Sequence, residues 1–231
     1  DGEIERRVAS FWRGFFGRGG VRGGRGRHRR GAGGTGLGEA SRGLFVRNEP
    51  RRNHSQRTHL IYLSLGSNIN PVQNLPKAIE LLKQHLDLEA VSGAWQNPDA
   101  GKRGPDFINA AVCARTHLQP EELKSQVIRP IEAALGRVRT RDKYAPRTID
   151  IDLVVFDGTV EDPQLWRQAF MAVPLAQLKP DLQEPLSQAS LAEVSARLAK
   201  STVLIPRQDV QALIQNVLES PPARVQPGRV A

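Results

Sequence analysis

Two aspartates separated by a single residue carry the clearest chemical signal in the sequence. Asp150 and Asp152 alternate with apolar residues, a pattern that predicts a β-strand over 148–156. Side chains two positions apart on a strand point to the same side at roughly 6.5 to 7 Å, so the carboxylates stand next to each other. Such a pair suits Mg²⁺, which prefers a few carboxylates, several waters and phosphate oxygens. An isolated pair of this kind can equally be a solvated strand face.

Basic residues just upstream favour the chemical interpretation. Four of them alternate along one segment and a fifth precedes the first aspartate by three residues: Arg137, Arg139, Arg141, Lys143 and Arg147. Diphosphoryl transfer needs this combination of cations and metal-binding carboxylates, because its catalysis is mostly positioning and charge neutralisation. Two Mg²⁺ ions about 3.5 to 4 Å apart could share the aspartate pair. Ordinary salt bridges among these residues are the alternative.

The sequence contains no Gly-x-x-x-x-Gly-Lys-Ser/Thr motif, so a nucleotide would be held without a P-loop. The segment Gly66-Ser67-Asn68, after the first predicted strand, could cradle a phosphate, but its spacing alone favours a plain turn. The segment 147–152 is therefore the candidate for the phosphate centre.

The patterns around these residues predict an α+β fold, a ferredoxin-like split βαβ sandwich with extra C-terminal helices. The predicted order is β-α-β-β-α-β, with helices on one face of the sheet. Strands are predicted at 59–65, 88–95, 107–114 and 148–156. One predicted helix carries Leu75 to Leu86, and a second begins at Pro120 and is kinked at Pro130. Further helices are predicted at 190–200 and 207–219. The polar stretch 96–105 is a candidate mobile loop.

The net charge of +9 lies entirely in the N-terminal quarter of the chain. Residues 1–57 contain 14 Arg and 5 acidic residues, and the remainder contains 19 basic and 19 acidic residues. The Arg/Gly-rich composition predicts a disordered tail over 1–57. This tail could bind RNA through phosphate contacts and guanidinium stacking, or be an organellar presequence. A translated upstream stretch is favoured because the chain does not start with Met.

The rest of the chain predicts a catalytic domain over 58–205, followed by a C-terminal helix and tail over 206–231. No apolar run approaches the ~18 residues of a membrane span, and no signal-peptide pattern is present, so a cytoplasmic protein without membrane contact is expected. Cys113 is the only cysteine, which excludes an internal disulfide and suits a small buried position.

From about Leu60 to Pro180 the sequence resembles the 6-hydroxymethyl-7,8-dihydropterin pyrophosphokinase family. The similar segments occur in the family's order and approximate spacing: Tyr62–Asn68, Gly104–Ala111, Ile131–Glu132, Gly136–Arg139, Ala145–Leu153 and Phe170–Leu175. The resemblance implies a ferredoxin-like fold, ATP as co-substrate and two Mg²⁺ ions. It also implies transfer of the β,γ-diphosphate of ATP to the hydroxymethyl group of the pterin, with release of AMP, in folate biosynthesis.

The resemblance further implies roles for individual residues. Asp150 and Asp152 match the magnesium-bridging aspartates, and Arg137 and Arg147 match arginines that hold the triphosphate. Further ATP contacts match Arg139, Lys143 and Leu153, and pterin contacts match Asn97, Pro98, Ala100, Phe107, Asn109 and Phe170. Aromatics and an amide suit a pterin, which presents a flat π-face and an amide-like edge. On sequence alone, Phe107 and Phe170 would more often be core residues.

Three departures from the family pattern lie on the ATP side. Glu161-Asp162-Pro163 stands where the family has Pro-His-Pro, and Gln168 stands where it has Arg. The segment between Phe156 and Phe170 is also short, and Lys143-Tyr144-Ala145 replaces the commoner Arg-Trp-Gly. These departures predict a divergent member with altered nucleotide contacts or kinetics that is still active, because the metal and phosphate residues are all present.

Two other functions are compatible with parts of the sequence. One is an RNA-binding ferredoxin-like protein with an arginine-glycine tail, and the other is a diphosphokinase for a different pterin alcohol. An RNA-recognition sheet should expose adjacent aromatics on its central strands, whereas 148–156 presents two carboxylates. Nucleic acid is therefore an unlikely partner except through the tail, and a monomer or weak dimer is expected.

Overall fold

The computed structural model of the protein describes residues 57–98, 104–138, 142 and 145–220. Apart from Arg57, the predicted N-terminal tail lies outside this range. The described residues form one mixed sheet-and-helix unit, and no helix among them is long and apolar enough to cross a membrane.

Within the described residues, seven antiparallel strands form a single sheet. They are β1 His59–Ser67, β2 Asp87–Val91, β3 Trp95–Asn97, β4 Phe107–Thr116, β5 Asp150–Phe156, β6 Thr159–Val160 and β7 Ile205–Pro206. The strand order is β6-β5-β1-β4-β3-β7, and β2 also pairs with β4. The central order β5-β1-β4-β3 is that of the ferredoxin-like sandwich, which confirms the predicted fold class.

In the same part of the chain, six α-helices accompany the sheet. They are α1 Pro71–His85, α2 Pro120–Leu123, α3 Arg129–Ala134, α4 Ala169–Ala176, α5 Leu191–Ala199 and α6 Gln208–Glu219. The two predicted C-terminal helices correspond to α5 and α6. Helix α4 was not predicted, because it is apolar all round and gives no amphipathic period.

The main core lies between the sheet and α1. Alternate residues of β1, among them Ile61 and Leu63, are fully buried against Leu75, Ile79 and Leu82 of the helix. Burial of one such side chain contributes roughly 1.5 to 3 kcal/mol. Helix α6 packs against α1 and adds apolar residues to the same core.

The opposite face of the sheet is also covered, and here the prediction of helices on one face was wrong. Helix α4 packs on β1 and β4. The side chains that alternate with the main core, such as Tyr62 and Cys113, are therefore buried as well. Burial raises the pKa of the Cys113 thiol to about 11, so this residue is the small buried side chain that was predicted. The cover stops short of Asp152, which is exposed.

The predicted strand 88–95 is interrupted, so that β2 and β3 are separate. Ser92 stays paired with Ala111, since its amide donates to Ala111 O at 2.9 Å and its Oγ accepts from Ala111 N at 2.8 Å. Gly93 instead donates its amide to Gln177 Oε1 at 2.7 Å. The side chain of Gln177, just after α4, thus takes the place of a neighbouring strand as the hydrogen-bond partner of Gly93. A local hydrophobic pattern cannot predict such a distant partner.

The expected kink at Pro130 takes the form of a π-helical turn. Residues Lys124–Ile128 form this turn between α2 and α3, and the amide of Arg129 donates to Lys124 O five residues back. Pro130 has no amide hydrogen with which to continue an α-helical ladder. The wide turn therefore lies directly before the proline, as expected for a π-bulge.

Candidate active site

Strand β5 places the two aspartates on the edge of the covered sheet face. Asp150 lies opposite Gly66 and Asp152 opposite Ser64 in the pairing with β1. Their side chains share one side of the strand, while Ile151 on the other side is buried in the core. Asp150 is mostly buried and Asp152 is exposed.

Two arginines converge on the Asp150 carboxylate. Arg137 Nη1 donates to Asp150 Oδ1 and Arg147 Nη1 donates to Asp150 Oδ2. The Arg137 guanidinium is also held by Ile149 O at 2.9 Å, and its side chain is 12% exposed. Arg147 is less enclosed, with 31% of its side chain exposed. The predicted cluster of cations and carboxylates is thus present, although Asp150 is engaged by both arginines.

Glu132 in α3 organises this cluster, and the sequence assigned it no role. Its Oε1 accepts from Arg137 Nη1 at 2.9 Å and from the amide of Ile151 at 3.1 Å. The carboxyl group is almost completely buried. A single oxygen therefore joins the helix, the arginine and the strand between the two aspartates. The signal that could have identified it is an acidic residue within the apolar sequence Ile131 to Leu135.

Negative charge accumulates around Asp152. Its pKa is raised to about 7, first by desolvation of its carboxyl group by neighbouring protein atoms and then by the charges of Asp150 and Asp162, against an opposing effect of Arg137. The carboxylate pair is thus short of positive charge on the Asp152 side. A cation bound there would relieve this repulsion.

The turn after β1 fixes the backbone next to Arg147. The amides of Asn68 and Ile69 both donate to Arg147 O at 3.1 Å, and Asn68 Oδ1 accepts from the Arg147 amide at 2.6 Å. Ser67 Oγ donates to Thr148 O at 2.6 Å. The expectation of a plain turn at Gly66-Ser67-Asn68 was wrong, because Gly66 and Ser67 are the last two residues of β1 and the chain bends only after Asn68. These hydrogen bonds align the entry into β5.

The pairing of β3 with β4 gathers the residues predicted to contact the pterin. Asn97 lies opposite Phe107, and Asn109 lies opposite Trp95, so their side chains share one sheet face. Asn109 Nδ2 donates to Asn97 Oδ1, and Asn97 Nδ2 donates to Pro98 O at 3.0 Å. Both amides are buried, Phe107 is half-buried and Pro98 is exposed.

Strand β1 lies between the strand that carries Asn109 and the strand that carries Asp150 and Asp152. Gly66 pairs with Asn109 on one side and with Asp150 on the other. The amide pair and the carboxylate pair therefore lie one strand apart on the same sheet. Phe170, in the first turn of α4, is half-buried, and its helix packs against β4.

Several predicted contacts are not part of this arrangement. Leu153 is buried in the main core, on the side of β5 opposite the aspartates, so its side chain does not line the site. Ala100, Arg139 and Lys143 lie outside the described residues. Asp162 accepts from the Gln164 amide at 2.9 Å and caps the short 3₁₀ helix Pro163–Trp166, which gives this departure from the family pattern a structural role.

The chemistry of the donor set fits magnesium. Among the described residues, no group of three or more His, Cys, Asp or Glu side chains could hold a metal. Mg²⁺ bound to a nucleotide needs only one or two protein carboxylates, because phosphate oxygens and waters complete its octahedron. The Asp150–Asp152 pair meets that requirement.

Two carboxylates lie beside two guanidinium groups, one strand away from a paired amide and a half-buried ring, and form the candidate phosphate-handling site on a ferredoxin-like sheet. A family model described as 7,8-dihydro-6-hydroxymethylpterin-pyrophosphokinase matches residues 62–180. The chain belongs to this family, whose members carry out ATP-dependent pyrophosphoryl transfer in folate biosynthesis.

Similar proteins carry the name 2-amino-4-hydroxy-6-hydroxymethyldihydropteridine pyrophosphokinase. That of Synechocystis is 35% identical over 150 residues, covering 60% of this chain and 76% of the relative. That of Methylorubrum extorquens is 41% identical over 133 residues, covering 52% and 83%. A crystal structure of Plasmodium falciparum HPPK-DHPS superposes with a TM-score of 0.54 at 11% identity, covering 64% of this chain and 46% of that one, and supports the fold alone.

Proposed function

We propose that this chain transfers the β,γ-diphosphate of ATP to the hydroxymethyl oxygen of 6-hydroxymethyl-7,8-dihydropterin at the site described above. The pterin oxygen forms a bond to the β-phosphorus, the bond from that phosphorus to the α,β-bridging oxygen breaks, and AMP leaves while the hydroxyl proton is released. The observation that carries the proposal is the position of Gly66, which pairs with Asp150 and Asn109 on its two sides. It sets the phosphate and pterin residues one strand apart.

Asp150 and Asp152 would hold two Mg²⁺ ions together with the phosphate oxygens of ATP. Bound metal supplies charge neutralisation for the transferring group. Desolvation and the negative charges of Asp150 and Asp162 together raise the pKa of Asp152 to about 7, and the negative charges favour a cation at this position.

The two arginines would bind the phosphates of ATP, but their side chains differ in how firmly they are held. Arg137 is fixed by Glu132 and by Ile149 O, so it offers a preorganised charge beside the aspartates. Arg147 is more exposed and could exchange Asp150 for a phosphate oxygen when ATP arrives. The loop residues Arg139 and Lys143 stay predicted ATP contacts.

Asn97 and Asn109 would read the amide-like edge of the pterin, and Phe107 and Phe170 its flat faces. Amide groups both donate and accept, which suits a heterocycle with alternating donors and acceptors. The hydrogen bond from Asn109 to Asn97 fixes which atoms of the two amides remain to face a ligand. Pro98 and Ala100 stay predicted contacts of the same ligand.

The reaction is tested by following nucleotide products with the purified full chain, ATP, Mg²⁺ and the hydroxymethyl dihydropterin. AMP formed in equal amount to diphosphorylated pterin is the expected result. Release of ADP, or no turnover at saturating metal, would reject the proposal. A second pterin alcohol in a parallel reaction distinguishes the acceptors, since faster turnover with it would assign the enzyme to a different substrate.

The metal is tested separately by chelation. Removal of divalent ions should abolish AMP release, and Mg²⁺ should restore it, while full activity in excess chelator would exclude a metal role. Asp152→Asn should weaken Mg²⁺ activation, whereas Asp181→Asn, at an exposed position away from β5, should leave it unchanged. A cytoplasmic location, a monomeric or weakly dimeric state, and RNA binding by the tail stay predictions.

A further inference from the structure

The C-terminal segment completes the sheet next to the pterin residues. Strand β7 follows the part of the chain that the family model matches and pairs with β3 through Gln96 and Ile205. The Arg207 amide adds a further hydrogen bond to Ala94 O at 2.9 Å. Strand β3 has only three residues, so its position depends on β4 on one side and on β7 on the other.

Side chains continue this connection across β3. Arg207 Nη1 donates to Gln96 Oε1 at 2.7 Å, and Gln96 Nε2 donates to Asp106 Oδ2 at 2.8 Å. Arg207 is itself oriented by Asp209, which accepts from its Nε at 2.9 Å and from its Nη2 at 2.7 Å. This two-point contact holds the guanidinium plane in one orientation. We call Arg207, Gln96 and Asp106 the rear relay.

The rear relay lies directly behind the pterin residues. Gln96 precedes Asn97, and Asp106 precedes Phe107, which pairs with Asn97. Adjacent residues on a strand point to opposite faces, so the side chain of Gln96 and that of Asn97 lie on opposite sides of the sheet. The relay therefore fixes the separation of the two strand ends without occupying the site.

We infer that Arg207 and Gln96 are positioning residues for pterin binding, acting through the Asn97–Asn109 amide pair and Phe107. This inference rests on the proposed function. It gives the C-terminal segment a part in the site: Arg207 aligns Gln96, and Gln96 joins the ends of β3 and β4. Strands β4 and β1 separate β3 from the predicted ATP residues on β5, so loss of the relay should change ATP binding much less than pterin binding.

The test measures KM for the pterin, KM for ATP, kcat and the melting temperature for the full chain and its Arg207→Ala and Gln96→Ala variants. Each variant should raise the pterin KM about three- to tenfold, the effect of losing one or two side-chain hydrogen bonds. The ATP KM should stay within about twofold. Arg207 acts through Gln96, so the double variant should raise the pterin KM by less than the product of the two single-variant increases. Equal rises in both KM values, or no rise, would overturn the inference.

Two variants separate positioning from a general loss of stability. Lys83 Nζ donates to Val217 O, Leu218 O and Ser220 O at the far end of α6, so Lys83→Ala loosens the same helix away from the relay. It should lower the melting temperature and leave the pterin KM unchanged. Asp106→Asn keeps an acceptor for Gln96, whereas Asp106→Ala removes it, so only the alanine variant should bind pterin weakly. Failure of either pattern would contradict a positioning role.

A failure of the proposed function would be visible independently. The wild-type chain is assayed first for AMP release, and its absence rejects the reaction. Pterin binding is then titrated by intrinsic tryptophan fluorescence without turnover. A dissociation constant raised by Arg207→Ala supports the rear relay, and an unchanged constant, or no binding by the wild-type chain, refutes it.

Discussion

Gly66 leaves room for the side chain of Asn109. The two residues pair across β1 and β4, and a Cβ placed on Gly66 would lie 2.7 Å from Asn109 Oδ1. Side-chain atoms do not approach a Cβ this closely, so any larger residue must displace the amide. Asn109 is buried and bonded to Asn97, which leaves it little freedom to move. The glycine in the segment Tyr62–Asn68 is thus explained by space for a neighbouring side chain.

Gly66→Ala should therefore weaken pterin binding. Displacement of Asn109 should raise the pterin KM by about tenfold or more, because small misplacements of binding groups are costly. Steady-state kinetics with each substrate varied checks this expectation, and ATP KM should change much less. If the clash with Asn109 is the cause, Gly66→Ala combined with Asn109→Ala should be no worse than Asn109→Ala alone. Additive effects would assign the loss to another contact.

The residues that act within one strand could be predicted from the sequence. A period of two fixed the common side of Asp150 and Asp152 and the burial of Ile151, and the register with β1 agrees with that pattern. The helix periods of α5 and α6 were equally clear, because each has one apolar face.

The contacts between distant segments could not be predicted in this way. Glu132 meets Ile151 across 19 residues, and no local pattern indicates which buried oxygen will accept that amide. Strand β7 has two residues, one of them Pro206, so it carries no alternation to detect. The family resemblance supplied roles for residues between Leu60 and Pro180 but none for β7 or Arg207, which lie after the matched segment.

Glu132→Gln should impair both folding and catalysis. The variant removes one of the two carboxylate charges that pair with the buried Arg137 guanidinium, the other being Asp150, and replaces one acceptor oxygen with an amide group. Breaking a buried ion pair from one side typically costs about 3 to 5 kcal/mol, and the conservative amide should lie at the lower end. Urea unfolding and kcat measure the two effects. Glu219→Gln, at the exposed end of α6, serves as the control, and equal stability of both variants would contradict the role of Glu132.

The two aspartates should differ in what they contribute to stability. Asp150 is mostly buried and pairs with Arg137 and Arg147, so Asp150→Asn should cost roughly 1.5 to 3 kcal/mol, the range for hydrogen bonds to charged groups. The pKa of Asp152 is raised to about 7 by desolvation and by the charges of Asp150 and Asp162, so its ionised form is disfavoured in the folded chain. Asp152→Asn should therefore leave a chain that is at least as stable as the wild type at pH 5 and more stable at pH 8. Both variants should lose turnover. Chemical denaturation checks the asymmetry, and a large loss for Asp152→Asn would give that residue a structural role.

Asp157, in the turn between β5 and β6, should make the stability of the folded chain depend on pH. Asp157 Oδ2 lies 2.8 Å from His59 Nδ1, and Asp157 Oδ1 accepts from the Leu60 amide at 3.0 Å. These two contacts and the nearby Arg57 lower the pKa of Asp157 below its usual value. A lowered pKa in the folded state means that the stabilisation is present above the ordinary aspartate pKa of about 4 and is lost as pH falls through the folded value. Asp157 has a φ of 48°, which Asn tolerates, so Asp157→Asn keeps the turn and removes the charge. The wild-type chain should melt higher than this variant at pH 7, and the difference should shrink steadily in acid. A difference in melting temperature that stays constant down to pH 2 would show that the carboxylate charge contributes nothing.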